Sequence, residues 1–587
     1  MSVLEKLRKT TSLSDLAILL GYKPKSLAYI LYKFPGEQYI QFQIPKKNGG
    51  KRNIKAPTDR LKHLQRRLAG LLNGCFEEIC IKSGHKRSLS HGFRKKHSII
   101  TNANKHKSKR HVFNVDLQDF FPSINFGRVR GFFIKNNYFD LNPKVATVIA
   151  QIACHDNELP QGSPCSPIIS NLIGHLLDIR MVNLAKKAKC TYSRYADDIT
   201  FSTNEKDFPK SIAIKMNEND NEWISGKVLK KEIKKAGFII NDKKTSMQYK
   251  TSRQITTGLV VNRKVNIKKE YYKHARSMCH ALFQTDEFYI SKHILTPTIS
   301  DNNQIIETSS HENIEKSVNK SQNQEEIPGN INQLEGILSF IYHVKKKHDK
   351  RKYGAKHYVP TAIAKLYREL LFYKHFFSLN RPLVVCEGKT DIIYLKCALR
   401  QLRKEYREFI QKVENCFVFK IGFLNMSKNL KDVFQISEGT SGLAKLMGIY
   451  EDYMNPFKGQ GKKYPVIILI DNDSGVEDIK KVCKTLDSKK TFSYFAENLY
   501  VIEIPLVNNN KETAIEDLFD KTTLNTKIDG KTFNRNARID TKTEYGKFVF
   551  AEKVIKANQK DINFNGFKVI FDRFKSTINN YQQQIVK

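Results

Sequence analysis

Paired cysteines are missing from this chain. Its ten cysteines are scattered, no Cys-x-x-Cys occurs, and Cys75 and Cys80 have no His or Cys pair at zinc-finger spacing. That excludes the usual structural zinc sites and leaves reduced, mostly buried thiols, as expected of a cytoplasmic protein. Long apolar runs are missing too. The longest buried-looking stretches, such as 466–470, are strand-sized, and Met1-Ser-Val-Leu-Glu-Lys has no signal-peptide pattern, so no membrane partner is expected. Acids are scarce. With 59 Asp and Glu against 100 Lys and Arg, the formal net charge is +41. Such a balance implies a polyanionic partner, and without a membrane signal that partner is nucleic acid.

What is present is enough apolar sequence, 40% of 587 residues, for real cores in about three domains. The stretch Thr191-Tyr-Ser-Arg-Tyr-Ala-Asp-Asp-Ile-Thr-Phe-Ser202 has two β-rich arms around Ala196-Asp197-Asp198. It predicts a hairpin with two acids at its tip. A further acid, Asp116, ends the apolar run Val112-Phe-Asn-Val-Asp116. Acids at strand ends can converge on Mg²⁺, a hard cation that prefers carboxylate and phosphate oxygens. Adjacent residues of an extended chain face opposite ways, so Asp197 and Asp198 are not expected to be equal ligands. Asp197 is expected to bridge with Asp116, and Asp198 to support.

Residues 1–45 read as short helices, with Ser12 or Ser14 as a cap. A basic hairpin around Asn48-Gly49-Gly50 carries Lys46, Lys47, Lys51 and Arg52, which as solvated loop charges would be unremarked but can also contact phosphate. A basic helix follows over 60–72. His91-Gly-Phe-Arg94 and Asn102-Ala-Asn-Lys-His106 precede the strand ending at Asp116. The rigid loop Leu159-Pro-Gln-Gly-Ser-Pro-Cys-Ser-Pro167 opens a helix over 168–188. A basic helix over 227–236, a strand and turn over 237–245, and a hairpin over 254–262 bent at Gly258 complete the first region. Residues 296–332, rich in Asn, Ser, Gln and Glu and without periodicity, read as a disordered insertion. Helical pattern resumes at 334 and runs to 377. From 381 a separate α/β unit begins. Buried strands 382–386 and 466–470 end in Glu387-Gly388 and in Asp471-Asn-Asp473, and each is followed by a helix, the pattern of a parallel sheet with its chemistry at the carboxyl ends of the strands.

Asp116 followed by an aromatic pair, then Leu-Pro-Gln-Gly, then Tyr-Ala-Asp-Asp, in this order, resembles the reverse transcriptases over roughly residues 40–265. The resemblance implies a right-handed polymerase: fingers and an antiparallel palm over 1–265, a helical thumb or connector over 266–380. It implies nucleotidyl transfer with two Mg²⁺ ~3.5–4 Å apart on Asp116, Asp197 and Asp198. It places Phe121 against the incoming sugar, Gln161 and Gly162 along the nucleotide pocket, Arg52 and Lys46 on the triphosphate, and Lys244 near the leaving pyrophosphate. Asn102-Ala-Asn-Lys-His106 and Thr256-Thr257-Gly258 look like the two signatures of bacterial retron reverse transcriptases, although the second more often begins with Val. By that resemblance Asn102, His106, Thr256, Thr257 and Gly258 contact RNA or primer; on residue type alone, Asn102 and His106 are a local cap and a surface histidine. The implied partners are dNTPs, a dedicated structured RNA primed from an internal guanosine 2′-hydroxyl, the branched RNA–DNA product, and a host ribonuclease H, since no such domain is evident here.

Glu387-Gly388-Lys-Thr-Asp391, then Asp471-Asn-Asp473 and Gly475, resembles the Toprim fold of topoisomerases, primases and related nucleases. That implies a Toprim-like domain over 381–587 with one or two Mg²⁺ held by Glu387, Asp471 and Asp473 for phosphodiester cleavage, or Glu387 as general acid or base. An EF-hand reading of Asp471-Asn-Asp fails because the twelfth loop position is Val482, not Glu. A phosphatase reading with Asp471 as nucleophile is weaker given Val-Val-Cys-Glu-Gly upstream. Glu516 or Asp517, and Lys542 or Lys547, are further candidates; by residue type Glu516 reads as a helix surface charge and the lysines as solvated. A retron polymerase fused to such a domain looks like the phage-defence retrons, in which the polymerase restrains an effector. The competing readings are a primase or RNA-copying polymerase with a Toprim domain, and a non-catalytic RNA-binding scaffold whose basic helices act by counterion release.

Overall fold

The computed structural model describes residues 1–33, 35–45, 51–82, 90–216, 222–291, 326–347, 360–414, 416–487, 489–507, 511–536 and 538–586. Lys46, Lys47, the Asn48-Gly49-Gly50 turn and most of the 296–332 stretch lie outside the described residues. The end of that stretch is ordered, against expectation: Glu326–Pro328 is a strand, and Asn330 caps a helix from Ile331. The contacts divide the chain into two compact units, one holding Met1–Tyr271, the other Tyr272–Ile290 and Glu326–Lys587. The stretch expected as thumb or connector is thus grouped largely with the second unit.

The first unit is built on a four-stranded antiparallel sheet. Its strands are β3 (His111–Gln118), β4 (Thr191–Tyr195), β5 (Asp198–Thr203) and β6 (Ile239–Tyr249), in the order β4-β5-β3-β6. β3 carries Val112, Phe113, Val115 and Leu117, all buried, so it has apolar cover on both faces and sits inside the sheet. The helix Ser166–Lys187, with a Pro in its first turn, lies in the same core. Its length and apolarity would suit a membrane, but 67% of its most apolar window is buried within the protein; a helix apolar nearly all round belongs inside a core. The basic helix expected over 60–72 runs from Asp59 to Lys82, because Leu61, Leu64, Leu68, Leu72, Cys75 and Ile79 continue one buried stripe. Beside it, β1 (Tyr39–Pro45) and β2 (Lys51–Pro57) pair as an exposed antiparallel ribbon.

The second unit holds a five-stranded sheet in the order Gly422–Phe423, Leu383–Cys386, Val466–Ile470, Leu499–Glu503, Ser493–Ala496. The first four strands are parallel and the last is an antiparallel edge. Val466–Ile470 is buried at every position, which explains its unbroken apolar sequence: a central parallel strand is covered on both faces. Helices Lys389–Gln401 and Val476–Val482 follow the two strands whose ends carry the acids.

Candidate functional site

In the first unit the acids meet by register. β3 and β5 pair with Asp116 directly opposite Asp198, and the Leu117 N–H donates to the Asp197 carbonyl at 3.1 Å. Tyr195 and Asp198 close a two-residue turn whose first residue, Ala196, has φ +57°. All three carboxylates line one cavity of about 630 Å³. Arg52, Phe121, Gln161, Gly162, Lys244, Thr257 and Gly258 line it too. Gly162 is required there: at φ +123°, a Cβ would lie 2.8 Å from the Lys55 carbonyl, where the Lys55 N–H donates to the Gln161 carbonyl at 3.0 Å.

The acids are short of positive charge. Burial, and then Asp116, push the Asp197 carboxyl above its ordinary range. Burial, then Asp197 and Asp116, push Asp198 up to about 8. Lys244 supplies the nearest cation, its Nζ 3.1 and 3.2 Å from the two oxygens of Asp116, while Asn241 Nδ2 donates to Oδ1 at 3.2 Å. An ammonium drawn onto a buried carboxylate stands where a metal cation fits. Among the described residues no three His, Cys, Asp or Glu side chains already form a closed metal cage; Mg²⁺ ordinarily combines one or two carboxylates with substrate oxygens and water rather than a full protein cage.

Asn102, His106 and Thr256, expected to contact RNA or primer, are instead fully buried in this structure. They lie behind the acid hairpin. Ser193 Oγ donates to Asn102 Oδ1 at 2.7 Å, so His106 Nε2 donates to Ser193 Oγ (2.7 Å) and Nδ1 accepts from Ser202 Oγ (2.8 Å). Burial first, then His91, push His106 down to about 3, so the imidazole is neutral at physiological pH. Thr257 and Gly258, both at positive φ, make the tight turn of the next hairpin, and Thr257 Oγ1 donates to the Ile99 carbonyl at 3.3 Å. His106→Ala strands the buried Ser202 hydroxyl, at ~1–3 kcal/mol, and takes from Ser193 one of its two hydrogen bonds. It is expected to lower the urea unfolding midpoint while leaving the RNA affinity of the folded fraction unchanged; a direct RNA contact would give the reverse.

A second acid cluster lies at the carboxyl ends of the parallel strands in the second unit. Glu387 Oε1 accepts from the Asp471 N–H at 3.0 Å, and Asp471 Oδ1 from the Ile515 N–H at 2.9 Å. Burial, followed by like charges, raises Glu387 to about 7 and Asp471 to about 8. Asp473 Oδ1 accepts from the Gly475 N–H at 2.8 Å. Glu516 is no surface charge: it is 1% exposed, and Lys547 Nζ reaches its Oε2 at 3.0 Å. Asp517 is instead taken by Arg535, both oxygens within 2.9 Å. Lys542 is exposed, in a turn whose N–H donates to Asp540. Asp391, which caps the helix by accepting from the Gly388 N–H at 2.8 Å, adds its charge to the cluster.

Two functional candidates escaped the sequence reading. Phe93, exposed and at φ +57°, lines the cavity with its ring 6.1 Å from that of Phe121; a bulky residue in that backbone region is unusual, but nothing in His-Gly-Phe-Arg announces it. Arg194 had a visible signal, a charge within a β-rich run.

An antiparallel sheet with three acids at one cavity defines a polymerase palm. Residues 44–259 match the family described as reverse transcriptase (RNA-dependent DNA polymerase). The chain is 34% identical over 256 residues to the retron Ec86 reverse transcriptase of Escherichia coli, covering 42% of this chain and 70% of that one. It is 31% identical over 287 residues to the retron Mx65 reverse transcriptase of Myxococcus xanthus, covering 45% and 62%. A solved telomerase from Candida tropicalis in complex with a fragment of telomeric RNA is similar at 13% identity and a TM-score of 0.28, over 42% of this chain and 50% of that one. The chain belongs to the retron reverse transcriptases.

Proposed function

We propose that the first unit is the RNA-directed DNA polymerase of a retron, copying a dedicated structured RNA into a branched RNA–DNA product. The observation that carries this reading is the single cavity lined by Asp116, Asp197, Asp198, Arg52, Phe121 and Lys244. Asp116 and Asp197, with Asp198 in support, would hold two Mg²⁺, which would supply Lewis-acid stabilisation of the attacking and leaving oxygens. Arg52 offers a guanidinium fork to the triphosphate. Lys244 releases Asp116 and carries its charge to the pyrophosphate. The Gln161–Gly162 backbone shapes the pocket, and Phe121 closes the space a 2′-hydroxyl needs. The test is extension of a primer on RNA with dNTPs or NTPs: deoxynucleotide incorporation supports the reading, and ribonucleotide incorporation alone overturns it. Phe121→Ala is expected to raise ribonucleotide use by roughly 10–200-fold in relative kcat/KM; unchanged discrimination removes Phe121 from the sugar pocket.

The second unit is proposed as a Toprim-like, metal-dependent nuclease. Glu387, Asp471 and Asp473 are its acids, Glu516 joins them, and Lys547 faces the scissile phosphate. What supports this is a group of five carboxylates that perturb one another: Glu387, Asp471 and Asp473 just beyond the ends of two adjacent parallel strands, Asp391 in the first turn of the helix Lys389–Gln401, and Glu516 on the short turn Ile515–Leu518; acids beyond such strand ends are typical of active sites in parallel sheets. In this reading the polymerase and its product restrain the nuclease until a phage trigger releases it.

A further inference from the structure

The acid hairpin carries a charge in its own core. Arg194, on β4, is 0% exposed. Asp178 of the helix Ser166–Lys187 receives it as a fork: Nε to Oδ1 at 2.7 Å and Nη2 to Oδ2 at 2.8 Å. The Tyr192 hydroxyl donates to the same Oδ1 at 2.7 Å. The remaining nitrogen, Nη1, donates to the carbonyl of Ala196 at 3.0 Å. Ala196 is the tip residue at φ +57°, a conformation that non-glycine residues keep only where the surroundings hold it. The backbone of Arg194 is held as well, its carbonyl accepting from the His91 N–H at 2.7 Å. Gly174 makes room: a Cβ there would lie 2.7 Å from Nη2.

Stability does not explain such a pair. Two buried charges cost desolvation that apolar residues of equal volume avoid, and the best-attested use of a buried pair is to fix register. We propose that Arg194 is a positioning residue: oriented by Asp178, its guanidinium grips the Ala196 carbonyl and sets the angle at which Asp197 and Asp198 face Asp116. The inference rests on the polymerase reading of that site.

Two variants test it from opposite sides. Arg194→Lys keeps the charge but cannot reach both Asp178 and Ala196. Gly174→Ala keeps Arg194 and displaces its fork. In RNA-templated incorporation by the full chain, each is expected to lower kcat by roughly ten- to hundredfold, to raise the Mg²⁺ concentration at half-activity, and to leave KM for dNTP unchanged. Wild-type kcat and Mg²⁺ dependence in either folded variant overturns the proposal. So does a loss that only tracks the folded fraction. If the wild-type chain incorporates no deoxynucleotide, it is the polymerase reading that fails. The brace is then decided by Mn²⁺ titration followed by electron paramagnetic resonance in an Asp471→Asn background: weaker binding with Arg194→Lys supports it, and equal binding overturns it.

Discussion

Asp197→Asn is expected to abolish RNA-templated DNA synthesis, by at least about a thousandfold in the single-turnover rate, while the chain stays folded. Asn keeps the shape and removes the charge. In the proposed site Asp197 is one of the two carboxylates that bridge the metal ions, and a neutral amide is a far weaker ligand for a hard cation. The same substitution should leave thermal stability equal or higher without Mg²⁺, because Asp197 is held above its ordinary range by burial and by Asp116, and a neutral side chain escapes both. Lost activity with raised or equal Tm marks a functional acid. Lost activity with a collapsed Tm would mark a structural one.

Glu387→Gln is expected to eliminate the nuclease activity proposed for the second unit and to change the pH dependence of stability. Glu387 rises from 4.5 to about 7, chiefly through burial, with Asp391 and Asp473 adding to the rise and the Asp471 N–H and Lys547 opposing it. A raised carboxyl contributes stability that is fully present below its unfolded value near 4.5 and is lost as pH climbs to about 7. Above pH 7 the wild type therefore carries a penalty, on the order of 1–3 kcal/mol, that Gln does not. With chelator present, the two Tm values should agree near pH 4.5 and diverge in favour of the variant by pH 8. Expressed in cells beside wild type under the same trigger, the variant should be harmless where the wild type is toxic. Equal toxicity, or none from either, contradicts the effector reading.

Much of the first site was legible because its signals are local. The two β-rich arms of the hairpin flank Ala196-Asp197-Asp198, and they fold as β4 and β5. The unbroken apolar runs at 383–386 and 466–470 became adjacent parallel strands. Burial was harder to read. Asn102 and His106 sit in a polar, basic stretch, and only the packing of Ile99–Ala103 against the hairpin removes them from solvent. Glu516 looked like a helix surface charge, yet it is buried, and the Lys547 that pairs with it is distant in sequence. The 59–82 helix runs past its expected end because the buried stripe continues through Leu72, Cys75 and Ile79 and overrides the low helix propensity of Gly70 and Gly74.

The most direct measurement of the central claim is anomalous diffraction from crystals of the full chain soaked with Mn²⁺ and a non-hydrolysable dNTP on a primed RNA. Peaks within bonding distance of both Asp116 and Asp197, with Lys244 withdrawn from Asp116, are the predicted result. Mn²⁺ bound elsewhere, with the Lys244–Asp116 pair still closed over an ordered nucleotide, would contradict it.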